Sequence, residues 1–131
     1  MGFFDKENKL SNNILFFKGK RNYSFQADIV KDISSRPFAS QSVKEGKVVI
    51  YMFPGEGIVQ FPVTKMKKPV DIIFVSRNLE INDVDKIRET DIKGRGMIVR
   101  AKHPTQYVLE TSSGFVKKYG LGPGDTIKIL K

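Results

Sequence analysis

The stretch from Leu15 to Phe25 combines four aromatic rings and three cations around a single glycine. Flat rings stack on unpaired bases, cations neutralise phosphates, and glycine lets the backbone turn or approach a ligand closely. This composition is typical of a groove that binds a single nucleic-acid strand. It also fits core rings on two strands that are joined by a solvated basic turn. The rings are Phe16, Phe17, Tyr23 and Phe25, and the cations are Lys18, Lys20 and Arg21.

Alternation of side chains divides these rings between core and surface. Tyr23 and Phe25 share one strand face with Ala27, so this face is predicted to be buried. Phe16 and Phe17 are adjacent, and a strand sends adjacent side chains to opposite faces. At least one of them is therefore predicted to lie off the core face and to stack on bases, with Tyr23 as a further candidate.

A second basic segment lies at 65–68, where three of the four residues are lysines and a proline follows. We expect it to extend the phosphate-binding groove, although a charge run is also the ordinary composition of a solvated connection. The residues predicted to contact phosphates are Lys18, Lys20, Arg21, Lys65, Lys67 and Lys68, with Arg36, Arg95 and Arg100 as secondary candidates.

The charge balance favours a polyanionic partner. The chain has 131 residues, and its 23 Lys and Arg against 14 Asp and Glu give a net charge of +9. Nucleic acid is the commonest partner for such a surplus, ahead of an anionic membrane surface or an acidic protein. Residues 71–100 are neutral, while basic segments lie on both sides of them. The neutral segment is therefore predicted to lie away from the phosphates.

The sequence contains few of the residues that enzymes commonly use in catalysis. Cysteine is absent and one histidine is present, which leaves thiol chemistry, zinc sites and catalytic triads without their residues. We expect no enzyme activity, no cofactor and no metal; the alternative is a metal nuclease that uses Asp71 with Glu80 or Asp83. The charged start lacks the apolar segment of a signal peptide, which predicts a soluble, cytoplasmic protein.

Periodicity predicts an α+β fold, namely one β-rich domain over 1–131 built from antiparallel hairpins, with a non-OB topology. Residues 1–13 are expected to be mobile at least in part, and residues 31–47 to form a long surface loop. One hairpin turns at 18–22 and the other at Pro54-Gly55-Glu56-Gly57. The predicted strands are 14–17, 23–30, 48–53, 58–63, 71–76, 97–101, 107–110 and 126–130.

One longer and one short helix complete the prediction. The longer helix covers about 79–92, with Val84 and Ile87 on its inner side. The short helix covers 114–119, with Ser112 or Ser113 as the N-cap and Gly120 as its end.

The segment from Tyr107 to Ile129 resembles two families of DNA-binding domains. A strand, the short helix, a Gly-Leu pair and the turn Gly122-Pro123-Gly124-Asp125 precede an alternating strand. This order is similar to AbrB-type swapped-hairpin regulators and to the closing part of B3-type DNA-binding barrels. The resemblance implies a β-rich DNA-binding fold in which the helix and turn are largely architectural.

The whole chain resembles the small single-stranded-DNA-binding protein of rod-shaped archaeal viruses, the rudiviruses. The resemblance depends on the Met-Gly-Phe-Phe start, the Phe-Phe-Lys-Gly-Lys-Arg-Asn-Tyr stretch and the Lys-Met-Lys-Lys connection. It implies a homodimer with a non-OB fold that coats single strands during viral DNA replication, in the host cytoplasm.

We therefore expect a protein that binds single-stranded DNA with little sequence preference. RNA and other replication proteins are further candidate partners, and no membrane partner is expected. The alternatives are a duplex-DNA-binding transcriptional regulator of the AbrB or B3 type and a structural or interaction protein with a basic surface.

Overall fold

The structure, a computed structural model, describes residues 13–31, 43–62, 68–93 and 98–130. Within these ranges no helix is long and apolar enough to cross a membrane. The strands are β1 (Asn13–Lys18), β2 (Asn22–Val30), β3 (Lys47–Gly57), β4 (Gln60–Pro62), β5 (Val70–Val75), β6 (Ile81–Ile87), β7 (Ile98–Arg100), β8 (Thr105–Ser112) and β9 (Thr126–Leu130). The helices of the described part are α1 (Glu89–Lys93) and α2 (Phe115–Tyr119).

Seven strands form one mixed sheet in the order β6-β5-β8-β3-β2-β1-β9, and β4 pairs with β7 in a separate two-stranded sheet. In the large sheet β2 and β3 are parallel, and the other neighbours are antiparallel. The sheet curls into a half-barrel. The N–H of Ile81 donates to the carbonyl of Asp125 at 2.8 Å, and the N–H of Ile127 donates to that of Leu79 at 2.9 Å. These bonds join the β9 edge to the start of β6.

Apolar side chains pack on both faces of the central strands. On β3, Val48 and Ile50 belong to the inner cluster, which α2 covers. Val49 and Tyr51 belong to the outer cluster, which includes residues of the two-stranded sheet and α1. On β1 only the inner face joins a cluster, where Phe17 has no exposed surface. The hairpin of β1 and β2 therefore presents one covered and one open face.

The predicted α+β class is wrong, because the described part of the protein is mostly β, with 60% strand and 9% helix. Half of the predicted helix at 79–92 is strand β6. A shift in the register of β6 on β5 places Ile81 and Val84, three residues apart, in the same inner cluster. Val84 and Ile87, the predicted inner residues of the helix, lie in the inner and the outer cluster respectively. Because both faces of β6 contribute to a core cluster, its apolar residues have the three-residue spacing that is also typical of a helix.

The predicted hairpin through Pro54-Gly55-Glu56-Gly57 is also wrong. β3 continues through these residues and pairs with β8, with an irregular register between Met52 and Gly57. The next predicted strand corresponds to β4, which pairs with β7 instead of β3. The hairpin of β1 and β2 is confirmed, and so are strands β5, β8 and β9. The predicted mobile start and most of the predicted loop at 31–47 lie outside the described residues.

Candidate nucleic-acid interface

The basic turn between β1 and β2 packs closely against the loop that precedes β9. A Cβ atom on Gly19 would lie 2.5 Å from Oδ1 of Asp125, so glycine permits this approach. Oδ2 of Asp125 accepts a hydrogen bond from the N–H of Gly122 at 2.9 Å, which holds the carboxylate in place. Lys20 and Arg21 follow Gly19 and are exposed. The turn therefore presents both cations from a defined position.

Helix α2 is positioned by a buried carboxylate. Oδ2 of Asp71 accepts a hydrogen bond from the N–H of Val116 at 2.9 Å. The predicted serine N-cap is wrong, because Gly114 occupies that position without a side-chain hydrogen bond. Gly120 ends the helix in the left-handed conformation, as predicted. Asp71, the carboxylate considered for a nuclease, thus fixes a helix whose exposed residues include Lys117 and Lys118.

Edge-to-face contacts between aromatic rings join α2 to the β1–β2 hairpin. The ring centroids of Tyr23 and Tyr119 are 4.8 Å apart, and so are those of Phe25 and Tyr119. Phe17 lies deeper, with its centroid 5.8 Å from that of Phe25. Tyr23 and Tyr119 are half-buried, whereas Phe17 is fully buried. Of the two phenylalanines considered for stacking, Phe17 is therefore a core residue, while the two tyrosines form the rim of the cluster.

A depression of about 240 Å³, which we call the basic groove, opens beside this rim. It brings three predicted residues from the hairpin together with three residues of α2 that the sequence analysis did not assign to a site. No acidic side chain of the described part forms an ion pair with Lys20, Arg21 or Lys117. The lining residues are Lys20, Arg21, Tyr23, Lys117, Lys118, Tyr119 and Gly120.

Two neighbouring depressions continue the basic groove. The first, of about 170 Å³, shares Lys118 and Tyr119 with it and reaches Ser112 and Ser113. The second, of about 290 Å³, shares both serines and reaches Lys68. We call the three together the basic run. Lys68, predicted to act with the hairpin turn, thus lies at its far end.

Glu45 is the acidic residue of the basic run. Its Oε1 lies 3.0 Å from Nζ of Lys118, and both side chains are mostly exposed. The hydrogen bond to Glu45, followed by the charges of Tyr119 and Glu45, raises the pKa of Lys118 above its usual value. Lys118 is therefore cationic at neutral pH, and Glu45 is its partner within the basic run.

The remaining predicted residues lie elsewhere. Lys18 is exposed and Phe16 is half-buried on the open face of β1. Arg100 is exposed on β7, in the two-stranded sheet, and does not line the basic run. Among the described residues, no group of histidines and carboxylates could hold a metal ion. The predicted residues that lie outside the described ranges are Arg36, Lys65, Lys67 and Arg95.

The fold and site define a curled, mostly β domain with a basic, aromatic groove beside its short second helix. The chain belongs to the DUF192 family, described as "Uncharacterized ACR", whose model matches residues 37–129. A search of curated proteins found no match.

Two solved structures share the fold. A Sinorhizobium meliloti protein, described as a "putative transcription regulator", is 19% identical, with 88% of this chain and 92% of that chain covered and a TM-score of 0.76. A Novosphingobium aromaticivorans protein of unknown function is 18% identical, with 88% and 83% covered and a TM-score of 0.72. At these identities the likeness concerns the fold alone.

The family assignments suggested by the sequence are wrong. The DUF192 match covers residues 37–129, which include the whole segment that resembles AbrB-type and B3-type domains. Neither solved structure is described as a rudivirus protein or as a single-stranded-DNA-binding protein. The resemblance to the rudivirus protein depended on short basic and aromatic stretches, which different folds produce independently.

Proposed function

We propose that this protein binds single-stranded DNA, with little sequence preference, along the basic run. The basic groove is the observation that carries the proposal, since it places two half-buried tyrosine rings among four cations. Rings of this kind stack on any base, and the cations neutralise the phosphates between the bases. Lys68 adds a fifth cation at the far end of the run, and Glu45 is the opposing charge.

The short helices favour a single strand over a duplex. The two helices of the described part have five residues each, which is less than two turns. Reading the major groove of a duplex commonly requires a longer recognition helix or a two-stranded ribbon. Stacking on Tyr23 and Tyr119 requires bases that are not already paired.

Fluorescence anisotropy with labelled oligonucleotides tests the proposal. The protein is titrated at several salt concentrations with oligo-dT, a mixed-sequence single strand, its duplex and the matching RNA. We expect similar affinities for the two DNA single strands, weaker binding to the duplex, and a log–log salt slope of about −3 for four to five phosphate contacts. Tighter binding to the duplex, or no binding at low salt, would contradict the proposal.

A double variant at the hairpin turn tests the location. Lys20→Ala with Arg21→Ala removes two phosphate contacts, so we expect affinity for oligo-dT to fall roughly 25-fold at about 0.1 M salt and the slope to shrink by about 1.4. Lys86→Ala with Arg88→Ala is the matched control, because it removes the same charge from exposed positions outside the basic run. Equal losses in both variants would mean that net charge, and not the groove, holds the strand.

Duplex DNA is the second candidate, because the Sinorhizobium meliloti neighbour is described as a "putative transcription regulator". The anisotropy titration with the duplex decides between single-stranded and duplex DNA as the ligand. A homodimer stays a prediction, which light scattering with and without oligonucleotide checks.

A further inference from the structure

The open face of β9, β1 and β2 is a second unusual surface. Ile14 is 40% exposed and lies opposite Leu130, which is 42% exposed. Phe16 is half-buried two residues further along β1, on the same face as Ile14. None of the three belongs to either core cluster of the described residues. This face lies across the sheet from the aromatic cluster that supports the basic groove.

Strand register surrounds Phe16 with cations and hydrogen-bonding groups. Phe16 lies opposite Lys128 on β9 and opposite Ser24 on β2. Two residues along β1 on the same face, Lys18 lies at the strand end and is exposed. In the other direction, Ile14 lies opposite Gln26. The ring therefore has a cation on two sides and a hydroxyl on a third.

This chemistry fits an unpaired base better than an apolar protein partner. A base stacks on the ring, Ser24 and Gln26 offer hydrogen bonds to its edge, and Lys18 and Lys128 neutralise the flanking phosphates. No carboxylate of the described part lies opposite Phe16 or beside it on β1. Asp28 lies on this face of β2, two residues beyond Gln26, so the positive charge that is complementary to a phosphodiester is concentrated around Phe16.

The turn at 18–21 connects this face to the basic groove. Lys18 lies on the open face, and Lys20 and Arg21 line the groove two and three residues later. A strand that leaves the groove around the turn therefore stays beside a cation throughout. We propose that the open face is a second contact for the same single strand, in which a base stacks on Phe16. This inference rests on the proposed function and extends it to a strand that wraps the hairpin.

A tryptophan at position 16 tests the contact directly, because the sequence contains no tryptophan. We expect oligo-dT to quench the emission of Phe16→Trp at the concentrations at which anisotropy reports binding. Ile98→Trp, at a 57% exposed position on β7, is the control and should not be quenched. Binding without quenching of Phe16→Trp would overturn the inference and leave the proposed function intact, whereas no binding to either variant at low salt would overturn both.

A second variant separates stacking from general apolar contact. Phe16→Leu keeps an apolar side chain of similar volume on the open face but removes the flat ring. We expect the affinity for long oligo-dT to fall at least about five-fold, with the salt slope unchanged because no phosphate contact is lost. An affinity equal to that of the unmodified protein, with circular dichroism confirming that the variant folds, would overturn the inference.

Discussion

Strand β1 places two neighbouring phenylalanines in opposite environments. The ring of Phe17 lies in the inner cluster. Its centroid is 5.8 Å from that of Phe25 and 6.0 Å from that of Phe115. Phe16 is half-buried on the open face, and no ring of the described residues contacts it. The residue type is the same, so the difference comes from what covers each face. An aromatic ring beside cations therefore indicates a binding surface only on a sheet face that no other element covers.

The tyrosine rings of the basic groove combine ring contacts like those of Phe17 with partial exposure like that of Phe16. Tyr23 and Tyr119 contact each other and Phe25, so the core fixes their positions while part of each ring remains exposed. Fixed rings lose little conformational freedom when a base stacks on them. No ring of the described residues supports Phe16 in this way, and the groove is therefore expected to contribute more affinity than the open face.

The largest expected effect separates the two phenylalanines by stability. Phe17→Ala removes a fully buried ring and should lower the free energy of unfolding by about 3–5 kcal/mol. Phe16→Ala, one residue away, should lower it by less than about 1 kcal/mol, because the ring is outside both core clusters. Urea denaturation followed by circular dichroism measures both. Equal losses would mean that the open face is covered in solution.

An intermediate effect concerns the turn that joins the groove to the open face. Gly19→Ala would place a methyl group 2.5 Å from Oδ1 of Asp125 and displace a carboxylate that Gly122 holds. We expect a loss of about 1–3 kcal/mol in the free energy of unfolding. Gly55→Ala is the matched control, since its methyl group would meet nothing within 4 Å. A loss at Gly19 no larger than the loss at Gly55 would show that Asp125 moves freely.

The alternation of apolar and polar residues was sufficient to predict a strand where only one of its faces is covered. Alternation from Tyr23 onward predicted β2 and its buried side correctly, because each inward residue meets the same layer. It failed at β6, where Val84 and Ile87 belong to clusters on opposite faces of the sheet. It failed again at Pro54-Gly55-Glu56-Gly57, since pairing with β8, distant in sequence, keeps this turn-like segment extended.

Half of the candidate site was suggested by the sequence, because a local pattern shows only residues that are close along the chain. Lys20, Arg21 and Tyr23 were identified from one continuous stretch, whereas Lys117, Lys118 and Tyr119 were assigned to an architectural helix. Their Lys-Lys-Tyr sequence repeats the combination of cation and ring, which was the available signal. Nothing local shows that this helix packs beside the β1–β2 turn, because that arrangement depends on contacts such as Tyr23 with Tyr119.

The smallest expected effect is a gain in affinity within the basic run. Glu45→Gln removes the carboxylate that competes with phosphate for Lys118, whose Nζ lies 3.0 Å from Oε1. The pKa of Lys118 should fall toward its usual value once the charged acceptor is lost, yet the lysine stays cationic at neutral pH. One additional effective phosphate contact should tighten oligo-dT binding roughly five-fold at about 0.1 M salt and steepen the slope by about 0.7.

Glu56→Gln is the control for this gain, because it changes the net charge equally at an exposed position outside the basic run. Anisotropy titrations of both variants at three salt concentrations separate a local effect from a general one. If Glu56→Gln gains as much as Glu45→Gln, the strand responds to total charge. If neither gains, Lys118 does not contact phosphate, and the strand passes the groove on the side of Lys20 and Arg21.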